Sequence, residues 1–347
     1  MSKALESYIQ FPSIVPYSAK LLSGPVTYVG AAGFEDRVFA FPNRLTKDGV
    51  QIKNAIEITY LPYDSTNREN EFNEKLTRLA SPISSIVFNR HDPQPFQKSF
   101  QNLIKPMNPK LIALDISAMS KFLIMILLQS LREFDGEVEI LYAEPKEYHP
   151  TLEEFDKAKK KIVWPPDFLT DDVYRILHVT SLSSSSMQGH PILLVTYPTF
   201  NHNEIVTLQS ELTPNCMVLI LGMPPKEKNK WRLDALKEIN DRILDPDYCR
   251  SSPIMSTFDY VSNIEGLEEI YQTYQYTHRI LLSPTGSKLQ ALAAFMFRQI
   301  RPDVQIVYPA TKSFKSEYSE GEEDLWCISI PRFSELISRL DKYRRLH

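Results

Sequence analysis

Glycine is scarce in this 347-residue chain, with 10 residues against 25 prolines. Nucleotide folds built on long glycine-rich phosphate loops carry more, and neither G-x-x-x-x-G-K-[ST] nor G-x-G-x-x-G occurs. Cysteine is scarcer still. Cys216, Cys249 and Cys327 are odd in number and far apart, which argues against a disulfide scaffold and for a reducing compartment. The absence of Cys-x-x-Cys and His-x-x-x-His pairs removes the usual zinc spacings, and no metal ligand set is expected. The absence of a G-x-S-x-G elbow speaks against an α/β-hydrolase. The longest apolar run, residues 122–128, stops at Gln129, well short of the ~20 residues of a membrane span. No cationic stretch followed by an apolar core opens the chain, so no secretion signal is expected. A formal net charge of −4 denies the whole molecule a basic surface for nucleic acid. These absences predict a cytoplasmic protein with no membrane role and no strong nucleic-acid signal.

What the chain does have is one passage twice. Leu114-Asp115-Ile116-Ser117-Ala118-Met119-Ser120-Lys121 leads into an apolar run and then Val138-Glu139-Ile140-Leu141-Tyr142. Leu281-Leu282-Ser283-Pro284-Thr285-Gly286-Ser287-Lys288 leads into another such run and then Val304-Gln305-Ile306-Val307-Tyr308. Ser120-Lys121 aligns with Ser287-Lys288 and Tyr142 with Tyr308, with a single gap between. Each copy reads as strand, polar turn, helix, strand.

The rest of the chain keeps that rhythm. Residues 25–30, 55–60, 83–88, 110–114 and 138–142 are apolar or β-branched and read as strands, with helices between them, the strongest over 119–134. A charged helix over 152–162 ends at Trp164-Pro165-Pro166, and residues 167–189, with serines at 181 and 183–186, read as a connection. The pattern restarts with strands at 191–196, 217–221, 279–282 and 304–308, and with a helix over 201–212 that Asn201 caps. A strand over 324–330 and a helix over 333–345 close the chain. Alternation of this kind predicts parallel sheets with right-handed crossovers. The expected fold class is α/β: two tandem Rossmann-like lobes with mainly parallel sheets, related by internal duplication. The expected domains are 1–166, a linker over 167–189, and 190–347.

In such sheets ligands bind beyond the carboxyl ends of the strands. The sharpest turn there is Thr285-Gly286-Ser287-Lys288. Gly286 permits positive φ or close backbone approach, two hydroxyls and an ammonium converge, and a helix N-terminus adds partial positive charge. That suits a phosphate or carboxylate; the alternative is a plain helix cap with a solvated lysine. Ser120 and Lys121 form the matching set in the first copy, which lacks the glycine and carries Asp115 at its strand end. Gly30-Ala31-Ala32-Gly33-Phe34-Glu35-Asp36-Arg37 follows the first strand. There Gly30 and Arg37 are candidate ligand contacts, and Glu35 and Asp36 are either chemical groups or favourable acids of a helix start. Asp115 with Glu144-Pro145-Lys146 resembles the Asp…Glu-x-Lys arrangement of metal-dependent nucleases, with a helix between the two acids as a departure. The candidate catalytic residues are therefore Asp115, Glu144, Glu35 and Asp36. Nothing names a cofactor.

The Ser283-Pro284-Thr285-Gly286-Ser287-Lys288 turn resembles the T-G-G-T-K-type turn of CARF domains, Rossmann-like sensors of cyclic oligonucleotides in prokaryotic defence. Ser287 stands at the second glycine, and no further threonine precedes Lys288. The 115–121 turn resembles it with no glycine at all. The resemblance implies a nucleotide-binding sensor or regulatory protein of antiviral defence, with a nucleotide-like small ligand in a cleft between lobes and a protein partner in a defence complex. A metal-dependent nucleotide hydrolase or nuclease and a scaffold subunit of a larger complex are the alternatives.

Overall fold

The computed structural model describes residues 9–160, 165, 168–169, 172–245, 247–312 and 318–346. The chain divides into two compact units. The first lobe comprises residues 10–148 and 319–342; the second comprises the described residues of 149–318, with residue 9 and residues 343–346.

The first lobe opens with β1 (Ile14–Pro16) and β2 (Val26–Ala31). α1 (Ala40–Lys47), β3 (Ile52–Leu61), α2 (Glu69–Leu79), β4 (Ile83–Asn89), α3 (Phe96–Ile104), β5 (Leu111–Asp115), α4 (Lys121–Ser130) and β6 (Glu137–Ala143) then alternate, and a short β7 (Glu147–Tyr148) follows. In the second lobe come α5 (Leu152–Ala158), β8 (Val173–Leu177), β9 (Ile192–Thr196), α6 (His202–Leu212), β10 (Cys216–Leu219), β11 (Leu221–Met223), α7 (Trp231–Ile239), β12 (Cys249–Ser251), β13 (Ile254–Ser256), α8 (Tyr260–Tyr274), β14 (Arg279–Ser283), α9 (Lys288–Ile300), β15 (Gln305–Ile306) and β16 (Tyr308–Thr311). The chain ends with β17 (Ser319–Glu320), β18 (Leu325–Ile330) and α10 (Phe333–Leu346).

Burial explains the strands. Every residue of β2 and β5 is buried, as expected of parallel strands covered on both faces. The helices after the fourth strand of each series, α4 and α9, are buried around nearly their whole circumference. α3 is one-sided instead: Phe96, Phe100 and Ile104 recur every fourth residue and face the core.

The first sheet has the order β1-β18-β6-β5-β2-β3-β4, and the second β12-β10-β9-β14-β15. The pairings among β6, β5, β2, β3 and β4 are parallel, as are all four pairings of the second sheet. Numbered along each lobe, both parallel sets run 3-2-1-4-5, so each lobe is a Rossmann-like α/β unit. The expectation of mixed α/β lobes with mainly parallel sheets holds.

The expected boundaries differ from the observed division. The strand expected over 324–330 and most of the helix over 333–345 join the first lobe, where β18 lies antiparallel between β1 and β6. The expected boundary at 166/167, Trp164 and the end of the 152–162 helix lie outside the described residues, and α5 is described to Ala158. Residues 167–189 contain more than a connection: β8 pairs antiparallel with β16 and buries Val173 and Leu177.

Candidate functional site

The 3-2-1-4-5 order places a topological switch between strands 1 and 4 of each set, where neighbouring crossovers leave on opposite faces and open a crevice. In the first lobe this is the carboxyl end of β2 and β5; in the second it is that of β9 and β14. The turns singled out in the sequence, 30–37 with 115–121 and 283–288, occupy these two places. Ser120 and Ser287 are both N-caps, and Lys121 and Lys288 both open the helix, so the aligned pairs hold equivalent positions.

In the first lobe, Asp115 ends β5 and is buried. It accepts hydrogen bonds from the Tyr28 hydroxyl at 2.7 Å, from the Ser117 amide at 2.9 Å and from the Ser117 hydroxyl. Burial pushes Asp115 up to about 6, against these hydrogen bonds, which favour the carboxylate. Gly30 pairs with Asp115 across the strands, and a Cβ there would lie 2.8 Å from the Tyr28 ring and hydroxyl. Its role is to let Tyr28 reach Asp115 rather than to approach a phosphate. Glu35 and Arg37 form a buried ion pair at 2.6 Å. Glu35 also accepts from the Ser319 hydroxyl at 2.6 Å, and Arg37 donates to the Ala143 carbonyl at 3.3 Å. Burial opposes the Arg37 charge, but Glu35, with smaller help from Tyr142 and Tyr148, raises its pKa above the ordinary arginine value. Asp36 points outward to Arg68 at 2.9 Å and accepts from the Gly321 amide at 3.1 Å.

The helix start at Ser120 is filled from within the lobe. Its amide donates to the Tyr60 hydroxyl at 3.0 Å, and its hydroxyl accepts from the Leu123 amide at 3.2 Å. Glu144 is buried, with the Trp326 indole N–H 3.4 Å away. Among the described residues, no group of three or more His, Cys, Asp or Glu is placed to hold a metal ion.

In the second lobe, Thr285 stitches the turn to the end of β9. Its hydroxyl donates to the Tyr197 carbonyl at 2.7 Å, accepts from the Tyr197 amide at 3.3 Å and lies 3.0 Å from the Thr196 hydroxyl. Ser287 and Gln290 form a capping box, with Ser287 N–H to Gln290 Oε1 at 2.8 Å and Gln290 N–H to Ser287 Oγ at 3.1 Å. The Ser287 hydroxyl also donates to the Thr257 carbonyl. Gly286 does not have positive φ; a Cβ there would collide with Gln290 Oε1, so glycine serves the close approach of that side chain. Lys288 is half-buried at the first helical position. Asn201 is the N-cap of α6 as expected, but its side chain donates to Glu204 at 3.3 Å instead of capping. Three polar atoms at this end of the sheet, Tyr197 Oη, Asn201 Oδ1 and Ser283 Oγ, are buried and have no hydrogen-bond partner among the described residues.

Sequence reasoning missed Tyr28, Ser117, Ser319 and Gln290. Only Gln290 had a local signal, the S-x-x-Q spacing of a capping box. The chain matches no protein-family model and no curated protein. Among solved structures it is similar to the cytoplasmic domain of a prokaryotic cation chloride cotransporter, at 7% identity over 83% of this chain and 96% of that one, with a TM-score of 0.25. A protein of unknown function from Pseudomonas aeruginosa is similar at 8% identity over 95% and 100%, with a TM-score of 0.26. At these values neither likeness bears on what the chain does.

Proposed function

We propose that the chain is a sensor or regulatory protein that binds a phosphate-bearing, nucleotide-like ligand at the switch-point crevice of the second lobe. The observation that carries this reading is the place of the Ser287-Lys288 helix start beside β9, at the carboxyl end of a 3-2-1-4-5 sheet. Two further features support it. A helix of 13 residues offers its positive end there. Tyr197, Asn201 and Ser283 supply buried polar atoms without partners among the described residues, and native interiors leave few such atoms. The ligand contacts would come from backbone amides, Lys288 and these three side chains, because the Thr285 and Ser287 hydroxyls are committed to the fold.

The first lobe is the degenerate copy in this reading. Tyr60, Asp115 and Ser117 fill the positions that a ligand would occupy. The shared strand order and the equivalent Ser-Lys helix starts support an internal duplication of one ancestral lobe. The CARF-like turn makes cyclic oligonucleotides the first ligands to try and prokaryotic defence the first setting. Isothermal titration of the full chain with cyclic oligonucleotides, mononucleotides and pyrophosphate tests the proposal. Binding that weakens by about tenfold or more in Lys288→Ala is expected. Equal affinity in that variant, or no binding by any probe, overturns it, and the second outcome favours a scaffold role.

A further inference from the structure

β4 is an outer strand of the seven-stranded sheet, paired with β3 on one side and with no strand on the other. The register runs from Ala55–Ile83 to Leu61–Asn89. At its two ends the Ala55 amide donates to the Pro82 carbonyl at 3.5 Å and the Arg90 amide to the Leu61 carbonyl at 2.7 Å. Backbone groups of successive strand residues point to opposite edges. Ser84, Ile86 and Phe88 therefore serve β3, while Ile83, Ser85, Val87 and Asn89 turn outward. Among the described residues, nothing hydrogen-bonds to the outward N–H and C=O groups of Ile83, Ser85 or Val87. The other outer strands of the two large sheets are short: β1 and β12 have three residues each and β15 has two, and β1 ends at Pro16. β4 has seven, Ile-Ser-Ser-Ile-Val-Phe-Asn, with neither a charge nor a proline. Shortness, charge and proline are the ordinary means of blunting an edge, and β4 uses none of them. Val87 and Leu61 share one face of the sheet there, 50% and 44% exposed.

We propose that β4 joins two copies of this chain, each strand pairing antiparallel with its counterpart about a two-fold axis through Ile86. Ser85 and Val87 turn outward at equal distances on either side of Ile86. The register with full overlap therefore sets Ser85 opposite Val87 of the second copy, Val87 opposite its Ser85 and Ile83 opposite its Asn89. Each pair is of the kind that exchanges N–H···O bonds across an antiparallel ladder. A two-fold contact needs a surface that complements itself, and this register also keeps like charges apart: Arg90 falls beside Ser81 and Pro82 of the second copy, not beside its Arg90. An uncharged edge gives a foreign strand no electrostatic means of selection, whereas a second copy matches it residue by residue. Pairing also brings each Val87 against the neighbouring strand and withdraws apolar surface from water.

Sedimentation velocity of the full chain between about 1 and 100 µM tests the proposal, and a concentration-dependent monomer–dimer equilibrium is the expected result. Val87→Pro removes an outward N–H that β3 does not use, and Val87→Lys sets a charge on the edge. Each should raise the dimer dissociation constant about tenfold or more, with an unchanged circular dichroism spectrum. Ile86→Cys brings two thiols to the axis in a non-hydrogen-bonded pair, where Cα atoms lie about 4.5 Å apart and a disulfide can close. Mild oxidation should then give a covalent dimer on a non-reducing gel, since the three native cysteines are buried. A chain that stays monomeric throughout the range overturns the proposal, also where a strand of another protein takes the edge instead. A dimer indifferent to both Val87 substitutions, or one that Ile86→Cys does not cross-link, overturns it as well. No ligand enters these measurements, so their outcome is independent of the nucleotide reading.

Discussion

The Arg37 guanidinium lies 2.6 Å from the Glu35 carboxylate with both side chains buried, and its Nε has no hydrogen-bond partner among the described residues. A buried pair of this kind is costly to break from one side, because the remaining charge is left in a poorly solvating interior. Arg37→Met should therefore destabilise the first lobe by about 3–5 kcal/mol. The double variant Glu35→Gln/Arg37→Met should lose clearly less. Urea unfolding of the three proteins measures this, and a single variant no less stable than the double one would refute it.

The pH dependence has a definite sign. Burial pushes Asp115 up to about 6 and Glu139 up to about 7, both above their usual carboxylate values. Hydrogen bonds to Glu139 from Cys327 and Ser329, each at 2.7 Å, only partly oppose the shift. The folded chain then keeps protons that the unfolded chain releases. Their stabilising contribution is complete below about pH 4 and is lost as the pH rises through about 6 for Asp115 and about 7 for Glu139. The difference in unfolding free energy between wild type and Glu139→Gln should thus change by on the order of 2–3 kcal/mol between pH 4 and 7.5. Asp115→Asn should remove a change of similar size over a lower window. A difference that stays flat across these windows contradicts the assignment.

The two serine caps should not be equivalent. Ser287 takes part in a reciprocal box and also bonds the Thr257 carbonyl, whereas Ser120 caps through a single bond. Ser287→Ala should cost about 1–2 kcal/mol and Ser120→Ala about 0.5–1 kcal/mol. Gly286→Ala should approach the Ser287→Ala loss, because its Cβ displaces Gln290 from the box. Thermal unfolding ranks the three variants, and the reverse order of the two serines would show that the box contributes little.

Lys288→Ala should separate binding from stability. The side chain is half-buried at the first helical position, so its removal should move unfolding by less than about 1 kcal/mol. Nucleotide affinity should fall by about tenfold or more. A large stability loss with unchanged affinity would make Lys288 a structural residue.

Much of the candidate site was visible in the order of residues. The Ser-Lys helix starts, the buried strands before them and the turns that follow strands all depend on neighbours two to four positions apart, and a linear reading captures such spacings. The meaning of individual side chains was less accessible. Gly30 reads as a phosphate-loop glycine until Tyr28 is seen lying across it toward Asp115, 87 residues away along the chain. Thr285 reads as a ligand hydroxyl until Tyr197, 88 residues away, is found to use it. Ser319 had no reason to be paired with Glu35, 284 residues before it.

From the amino-acid order alone came the alternation of strands and helices, the doubling of the Ser-Lys passage and the α/β class, because periodicity and turn chemistry act over short stretches of chain. Only the tertiary structure decided that β18 returns to the first sheet, that both parallel sets share one strand order, and that most turn hydroxyls serve the fold. Those outcomes rest on pairings between distant segments. A strand's edges present the same backbone donors and acceptors to any neighbour, so its partner is chosen by how the whole core packs.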